Sequence, residues 1–251
     1  MPDWSAELEL AVRAARTAGD LLRGPGGALR TADSAEGKDI KLQADREAEA
    51  AILRILGESA HPHLAEESGA SDRLDARAPF WVVDPLDGTY NYKRRIDFCA
   101  VSIALVQGET PLLGVIYDFH RDRLYAGAEG IAPTVSGEPL AVSTVADRGQ
   151  AVIATGFPVG RDFADGPVLD FVRRVQSFKK IRLLGTAALT LALVAEGKLD
   201  CYYEEGINLW DVAAGLALVR LAGGRLQLTP TDTPFRYDAY AGNAVLPPIG
   251  P

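Results

Sequence analysis

Asp84-Pro85-Leu86-Asp87-Gly88-Thr89 is the part of the chain richest in chemistry. Apolar Trp81-Val82-Val83 leads into Asp84 as a short buried strand would. Pro85 fixes φ at the exit, and Gly88 lets the backbone turn tightly. Two carboxylates three positions apart on such a turn can converge on one point. Hard oxygens arranged in this way suit Mg²⁺. The amides around Gly88 and Thr89 could face an anion if a helix begins there.

Three further acidic segments stand apart from this one. Glu66-Glu67-Ser68 precedes the strand, Asp45 lies near the start of a helical stretch, and Asp211 opens Trp210-Asp211-Val212-Ala213-Ala214-Gly215. Taken alone, each also has an ordinary reading: an acidic turn, a solvated pair or a helix N-cap. Small Ala213, Ala214 and Gly215 would let their helix approach another element closely. His61, His63 and His120 lie outside these segments and read as exposed loop histidines rather than ligands.

The elements that must position these groups follow from periodicity. Trp4, Leu8, Val12, Ala15 and Leu22 define an amphipathic helix that stops at Gly24-Pro25-Gly26-Gly27, and a polar loop runs on to about Lys38. Ala48, Ile52, Ile55 and Leu56 mark a second helix. Strands are expected at 80–83, ending at Asp84, and at 98–106. Two more, at 112–119 and 123–127, flank the hairpin signal His120-Arg121-Asp122. From about Gln150 strands and helices alternate: strands at 151–155, 181–184, 199–203 and 225–229, helices at 168–176, 186–195 and 210–221. Alternation of this kind argues α/β layering. A soft boundary near 143–149 divides the chain into residues 1–143, an α+β unit with an antiparallel sheet and most of the candidate ligands, and residues 144–251, an α/β unit. The proline-rich end, Pro247 to Pro251, is expected to fray.

Composition narrows the function. The chain has 251 residues, 34 acidic and 26 basic, for a formal charge of −8. That balance opposes binding to nucleic acid or anionic lipid, which require a basic footprint. The oiliest stretch, 183–195, is interrupted by Gly185, Thr186 and Thr190 and falls short of the roughly 20 residues a membrane-spanning helix needs. The opening Met1-Pro2-Asp3-Trp4 is acidic and polar, unlike a secretory signal. Cys99 and Cys201 sit in apolar contexts and read as buried thiols in a reducing, cytoplasmic setting.

The acidic segments together, in their order, resemble the inositol monophosphatase family over nearly the whole chain. Asp84 to Thr89 followed by Asn91 is similar to the family's first signature, and Leu209 to Gly215 to its second. Glu66-Glu67-Ser68, Leu184-Gly185-Thr186-Ala187-Ala188 and Tyr202-Tyr203-Glu204 match three further stretches. The resemblance implies the α-β-α-β-α sandwich of the inositol monophosphatase and fructose-1,6-bisphosphatase type. It implies an Mg²⁺-dependent phosphatase for a small phosphate monoester, with two or three ions, lithium sensitivity and a homodimer. Glu66, Asp84 and the Leu86 carbonyl would hold one ion, and Asp84, Asp87 and Asp211 a second. Gly88 and Thr89 would bind the phosphate, and Asp45 would orient a water with Thr89 or help to hold a weaker third ion. Glu204 and the Gly185, Thr186, Ala187 segment would face the substrate's alcohol part. Phosphoryl transfer asks mainly for positioning and charge neutralisation, which two metal ions can supply without a His, Cys or Ser nucleophile.

The sequence departs from the family pattern at Leu42, where a threonine is usual, at Ala65, where glycine is common, and in the short loop 37–39. Lys38 has two equal readings, a match to the loop lysine of relatives or a solvated surface lysine. Glu204 can accept hydrogen bonds from sugar-like hydroxyls or pair with an ammonium. Inositol phosphate and histidinol phosphate therefore both remain open. Fructose 1,6-bisphosphate and 3′-phosphoadenosine 5′-phosphate are substrates of other relatives on the scaffold. A weakly catalytic metal- and sugar-phosphate-binding protein is the alternative of a different class.

Overall fold

A computed structural model describes residues 2–24, 32–36, 39–157 and 162–249, the segments 32–36 and 39–42 by backbone alone. Helix α1 (Ser5–Arg23) is followed by strands β1 (Ala32–Glu36) and β2 (Asp39–Leu42) and helix α2 (Gln43–Leu56). Strands β3 (His63–Ala65), β4 (Gly69–Ala70) and β5 (Phe80–Asp87) precede the short helix α3 (Thr89–Arg94). Strands β6 (Ala100–Gln107), β7 (Thr110–Asp118), β8 (Arg123–Ala128), β9 (Ile131–Val135) and β10 (Glu138–Pro139) then form a meander. The remainder is β11 (Val152–Thr155), α4 (Asp165–Val175), β12 (Lys180–Arg182), α5 (Ala187–Ala195), β13 (Cys201–Asn208), α6 (Leu209–Leu221), β14 (Arg225–Pro230) and β15 (Arg236–Gly242).

Two large sheets result. The first has strand order β10-β9-β8-β7-β6-β5-β3-β4, antiparallel except for β3 beside β5. The second has order β12-β11-β13-β15-β14, with β11 parallel to β12 and β13, and β15 antiparallel to both neighbours. Side-chain alternation assigns the faces of the first sheet. Trp81 and Val83 join α1 and α2 in one core, whereas Phe80 and Val82 join α5 and α6 in another. That second core also takes in Ala154, Tyr202, Ile207 and Ala239 of the second sheet. The far face of the second sheet packs Ile153, Cys201 and Tyr203 against Phe171 and Val175 of α4. The layers therefore run α-β-α-β-α, as the sequence implies.

Helices α5 and α6 are apolar all round because they are sandwiched between sheets. Two glycines permit the close approach. A Cβ at Gly215 of α6 would collide with Leu191 of α5, and one at Gly114 of β7 would collide with the Ala214 carbonyl of α6.

Several local expectations change. The stretch up to Lys38 is not only a loop, because β1 pairs with β2 as an antiparallel hairpin. Lys38 itself, the rest of that short loop up to Asp39 and the Leu42 side chain lie outside what is described. Strand β5 continues through Asp87 instead of ending at Asp84. Short β3, β4, β9 and β10, and the later β15, lacked a clear alternating pattern and were not expected. The histidines are not exposed: His61 sits between Trp4 and Trp81 and meets Glu7 at 3.4 Å, and His120 stacks on Phe119. The end of the chain is held to Ile249, because Leu246 and Ile249 are buried and Arg148 donates to the carbonyls of Pro247 and Pro248. No helix among the described residues is long and apolar enough to cross a membrane. Both cysteines are buried, and burial pushes the thiol of Cys201 up to about 12.

Candidate active site

In a regular strand, residues three apart point to opposite faces, so Asp84 and Asp87 should diverge. The β5–β6 register shifts between them, and that irregularity turns both carboxylates toward one place. Leu86 donates its N–H to Asp84 Oδ1 at 2.9 Å, which fixes the bend. Gly88 follows with φ of 90° and caps α3, with Phe98 and Cys99 packed where its Cβ would be.

Asp211 arrives from α6, whose N-cap is Asn208 rather than Asp211 itself. One ligand atom from each of Asp84, Asp87 and Asp211 lies within 4.8 Å of the others. Glu66 stands beside this group, its carboxyl group within reach of that of Asp84. Burial pushes Glu66, Asp84 and Asp211 well above the usual carboxylate range, and the negative charge of their neighbours adds to the effect. Burial raises Asp87 to about 6, against hydrogen bonds from Thr186, Ala188 and Ala187 that favour the charged form. Among the described residues no lysine or arginine forms an ion pair with any of these carboxylates. A buried acidic cluster without a counter-cation is expensive, and a divalent cation is what such a donor set fits.

Asp45 lies in the first turn of α2, inside the helix, and its Oδ1 accepts from the Thr89 hydroxyl at 3.3 Å. The single hydrogen of that hydroxyl is shared with the Leu86 carbonyl at 3.0 Å, whose second lone pair is not used by this bond. Thr186 is the N-cap of α5, and Asp87 sits at that helix start, accepting from the Ala188 and Ala187 amides at 2.7 and 3.3 Å. Gly185 has φ of 76° and abuts the amide of Asn91, which ties Leu184 to Phe98 through their carbonyls. Glu204 is buried and accepts from the Tyr202 hydroxyl at 2.7 Å.

These groups surround a cavity of about 530 Å³ lined by Glu66, Asp87 and Asp211 together with Glu204, Trp210 and Arg236. Of the candidate site residues expected from the sequence, Glu66, Asp87, Gly185, Thr186, Ala187, Glu204 and Asp211 line this cavity. Asp84 joins them through the acidic cluster, whereas Asp45, Leu86, Gly88 and Thr89 do not line it; the Thr89 hydroxyl links Asp45 to Leu86. Three contributors were not foreseen. Glu49 accepts the amides of Glu67 and Ser68 at 2.8 and 2.9 Å and so shapes the loop that carries Glu66. Its signal was an acid on the apolar face of α2, at helical spacing from Asp45 and Ile52. Asn208 and Arg236 gave no such signal.

The family model described as inositol monophosphatase family matches residues 3–245. The chain belongs to that family. It is 37% identical over 227 residues to an inositol-1-monophosphatase of Synechocystis, covering 88% of this chain and 78% of the relative. It is also 37% identical over 226 residues to the Nus factor SuhB of Escherichia coli, covering 86% of this chain and 83% of that one. Among solved structures, an inositol monophosphatase from Anabaena superposes with a TM-score of 0.83 at 33% identity, covering 97% and 93% of the two chains. The suhB protein of Bartonella henselae gives 0.84 at 35% identity, covering 96% and 95%. As a member of the inositol monophosphatase family, the chain is a phosphomonoesterase of the layered α/β fold.

Proposed function

We propose that the chain is an Mg²⁺-dependent phosphatase for small polyol phosphates, with inositol monophosphate as the leading substrate. The observation that carries this reading is the acidic group Glu66, Asp84, Asp87 and Asp211, gathered from separate elements, with Asp84 and Asp87 buried and no lysine or arginine paired to it among the described residues.

In this reading Glu66, Asp84 and the Leu86 carbonyl hold one ion, and Asp84, Asp87 and Asp211 a second; a third is proposed near Asp45. Such ions, when bound, supply Lewis acidity that makes water a better nucleophile and offsets charge on the phosphoryl group. The chain's own groups do the rest. Asp45 and the Thr89 hydroxyl, already in contact, orient the attacking water and hold its proton. The start of α3 at Gly88 and Thr89 presents backbone amides to the phosphate. Glu204 binds the alcohol part. Thr155 and Trp210, which also line the cavity, each keep a buried polar atom without a hydrogen-bond partner among the described residues and favour a hydroxyl-rich ligand.

A histidinol phosphate is the second reading, because the buried Glu204 carboxylate would accept an ammonium as readily as hydroxyls. A panel of monoesters, with and without Mg²⁺, tests both. Phosphate release from inositol 1-phosphate that depends on Mg²⁺ is expected, and no release from any small monoester would sink the proposal. Lithium at tens of millimolar should inhibit.

A homodimer is part of the same proposal. Leu169 and Val172 of α4 and Ile181 and Leu183 at the edge strand β12 leave apolar side chains exposed, and light scattering at micromolar concentration would give the mass. A cytoplasmic setting is likewise proposed, and the two buried cysteines are compatible with it.

A further inference from the structure

Behind Asp211 stand two residues that no acidic motif contains. Asn208 donates twice to Asp211 Oδ2, from its backbone N–H at 3.2 Å and from its side-chain Nδ2 at 3.1 Å. Its Oδ1 accepts from Arg236 Nε on β15 at 3.1 Å. Asp211 Oδ1 takes no donor among the described residues.

A carboxamide has one donating end and one accepting end, whereas a carboxylate only accepts and a guanidinium only donates. Between Asp211 and Arg236 the amide of Asn208 can therefore sit one way round. Turned over, its oxygen would face a carboxylate oxygen and its NH₂ would face a cation. Helix capping explains the bond from the Asn208 backbone N–H to Asp211, but neither the bond from Asn208 Nδ2 nor Arg236. A positive charge near a helix N-terminus is opposed by the helix dipole. Arg236 is also the only basic side chain among the described residues lining the cavity.

We propose that Arg236 and Asn208 are positioning residues for Asp211. Arg236 selects the Asn208 orientation that donates, the two donors occupy Asp211 Oδ2, and Oδ1 is left aimed at the acidic cluster. This rests on the reading that the cluster holds divalent cations. It carries a sign that separates it from simple electrostatics. A bare positive charge near a cation site weakens binding, so its removal should tighten Mg²⁺. Removal of a positioning residue should loosen it.

The test is calorimetric titration of Mg²⁺ alone into the metal-free full-length protein, with melting in EDTA as a check on the fold. Arg236→Met and Asn208→Ala should each weaken Mg²⁺ binding about 10-fold, the scale on which groups that orient metal ligands act. Arg236→Lys, which can still donate to Asn208, should stay near wild type. The double variant should bind no more weakly than Asn208→Ala, because Arg236 acts through Asn208. Unchanged or tighter binding by Arg236→Met, or additive losses in the double variant, would overturn the proposal. If Asn208→Ala does not fold, the Arg236→Met and Arg236→Lys pair decides alone. A wild-type protein that takes up no Mg²⁺ defeats the metal reading itself, and the positioning role with it. Wild-type uptake with indifferent variants defeats the positioning role only.

Discussion

The Thr186 hydroxyl donates to Asp87 Oδ2, joining stretches 99 residues apart in the chain. The same oxygen atom of Thr186 accepts from the Leu189 amide at 3.3 Å, so one side chain both caps α5 and steers a candidate metal ligand. The start of α5 is thereby tied to the irregular end of β5, and the second half of the chain is fastened to the first at the site itself.

Thr186→Val keeps the shape and deletes both bonds. We expect a stability loss of about 1–2 kcal/mol in urea unfolding, the scale of a lost cap. Phosphatase activity should fall as well, since Asp87 loses one of the donors that orient it. Full activity together with an unchanged urea midpoint would show that Thr186 does neither job.

Asp87→Asn separates ligation from folding. It retains an oxygen for the α5 amides but removes a charge that burial disfavours. We expect kcat/KM to fall by ~100-fold or more, at least as much as for residues that merely orient a ligand. The metal-free variant should melt no lower than wild type at pH 7. Wild-type turnover would refute the assigned role.

The raised carboxyl pKa values fix the sign of a pH dependence. A group whose folded pKa lies above its unfolded value favours the folded state at low pH and loses that advantage as pH rises through the folded pKa. For Asp87 the window runs from 3.8 to about 6. Through these groups the metal-free protein should lose stability between pH 4 and pH 7. Mg²⁺, competing with protons for the same oxygens, should stabilise more at pH 7 than at pH 5. Melting curves in EDTA and in Mg²⁺ at both values check this; equal Mg²⁺ shifts would contradict it.

Gly156 gives access to Glu204 without touching it chemically. A Cβ at this position would run into the Glu204 carboxylate. Gly156→Ala should displace that carboxylate and raise KM for a polyol phosphate about 10-fold, with a smaller change in kcat. For a small phenyl phosphate, which offers Glu204 no hydroxyl, KM should hardly move. An equal effect on both substrates would remove Glu204 from substrate binding.

How legible this was depends on the kind of signal. Asp84, Asp87 and Asp211 could be read because carboxylates next to Gly, Pro and small residues are recognisable by residue type, and their order matches one family. Amphipathic α1 followed from its periodicity and α/β layering from the alternation of strands and helices in the second half, whereas the five-layer order came from the family resemblance. The bulge that makes Asp84 and Asp87 converge could not be read, because it is set by pairing with β6 and not by local residues. Asn208 and Arg236 were equally hidden: their meaning lies in a contact between β15 and the start of α6, 28 positions apart. The end of the chain was misjudged for a similar reason. Its prolines suggest fraying, yet Arg148 holds their carbonyls from a distant loop.

Helix α6 lies against β5, β6, β7 and β8 as well as β13, β14 and β15, and it brings Asp211. During synthesis the first sheet therefore leaves the ribosome with the groove at Gly114 still bare and one ligand still missing. No chain that stops short of residue 209 can assemble the acidic centre. The nascent protein must keep an open, greasy slot unfilled until α6 emerges to fill it, so pausing before that point prolongs its exposure to aggregation.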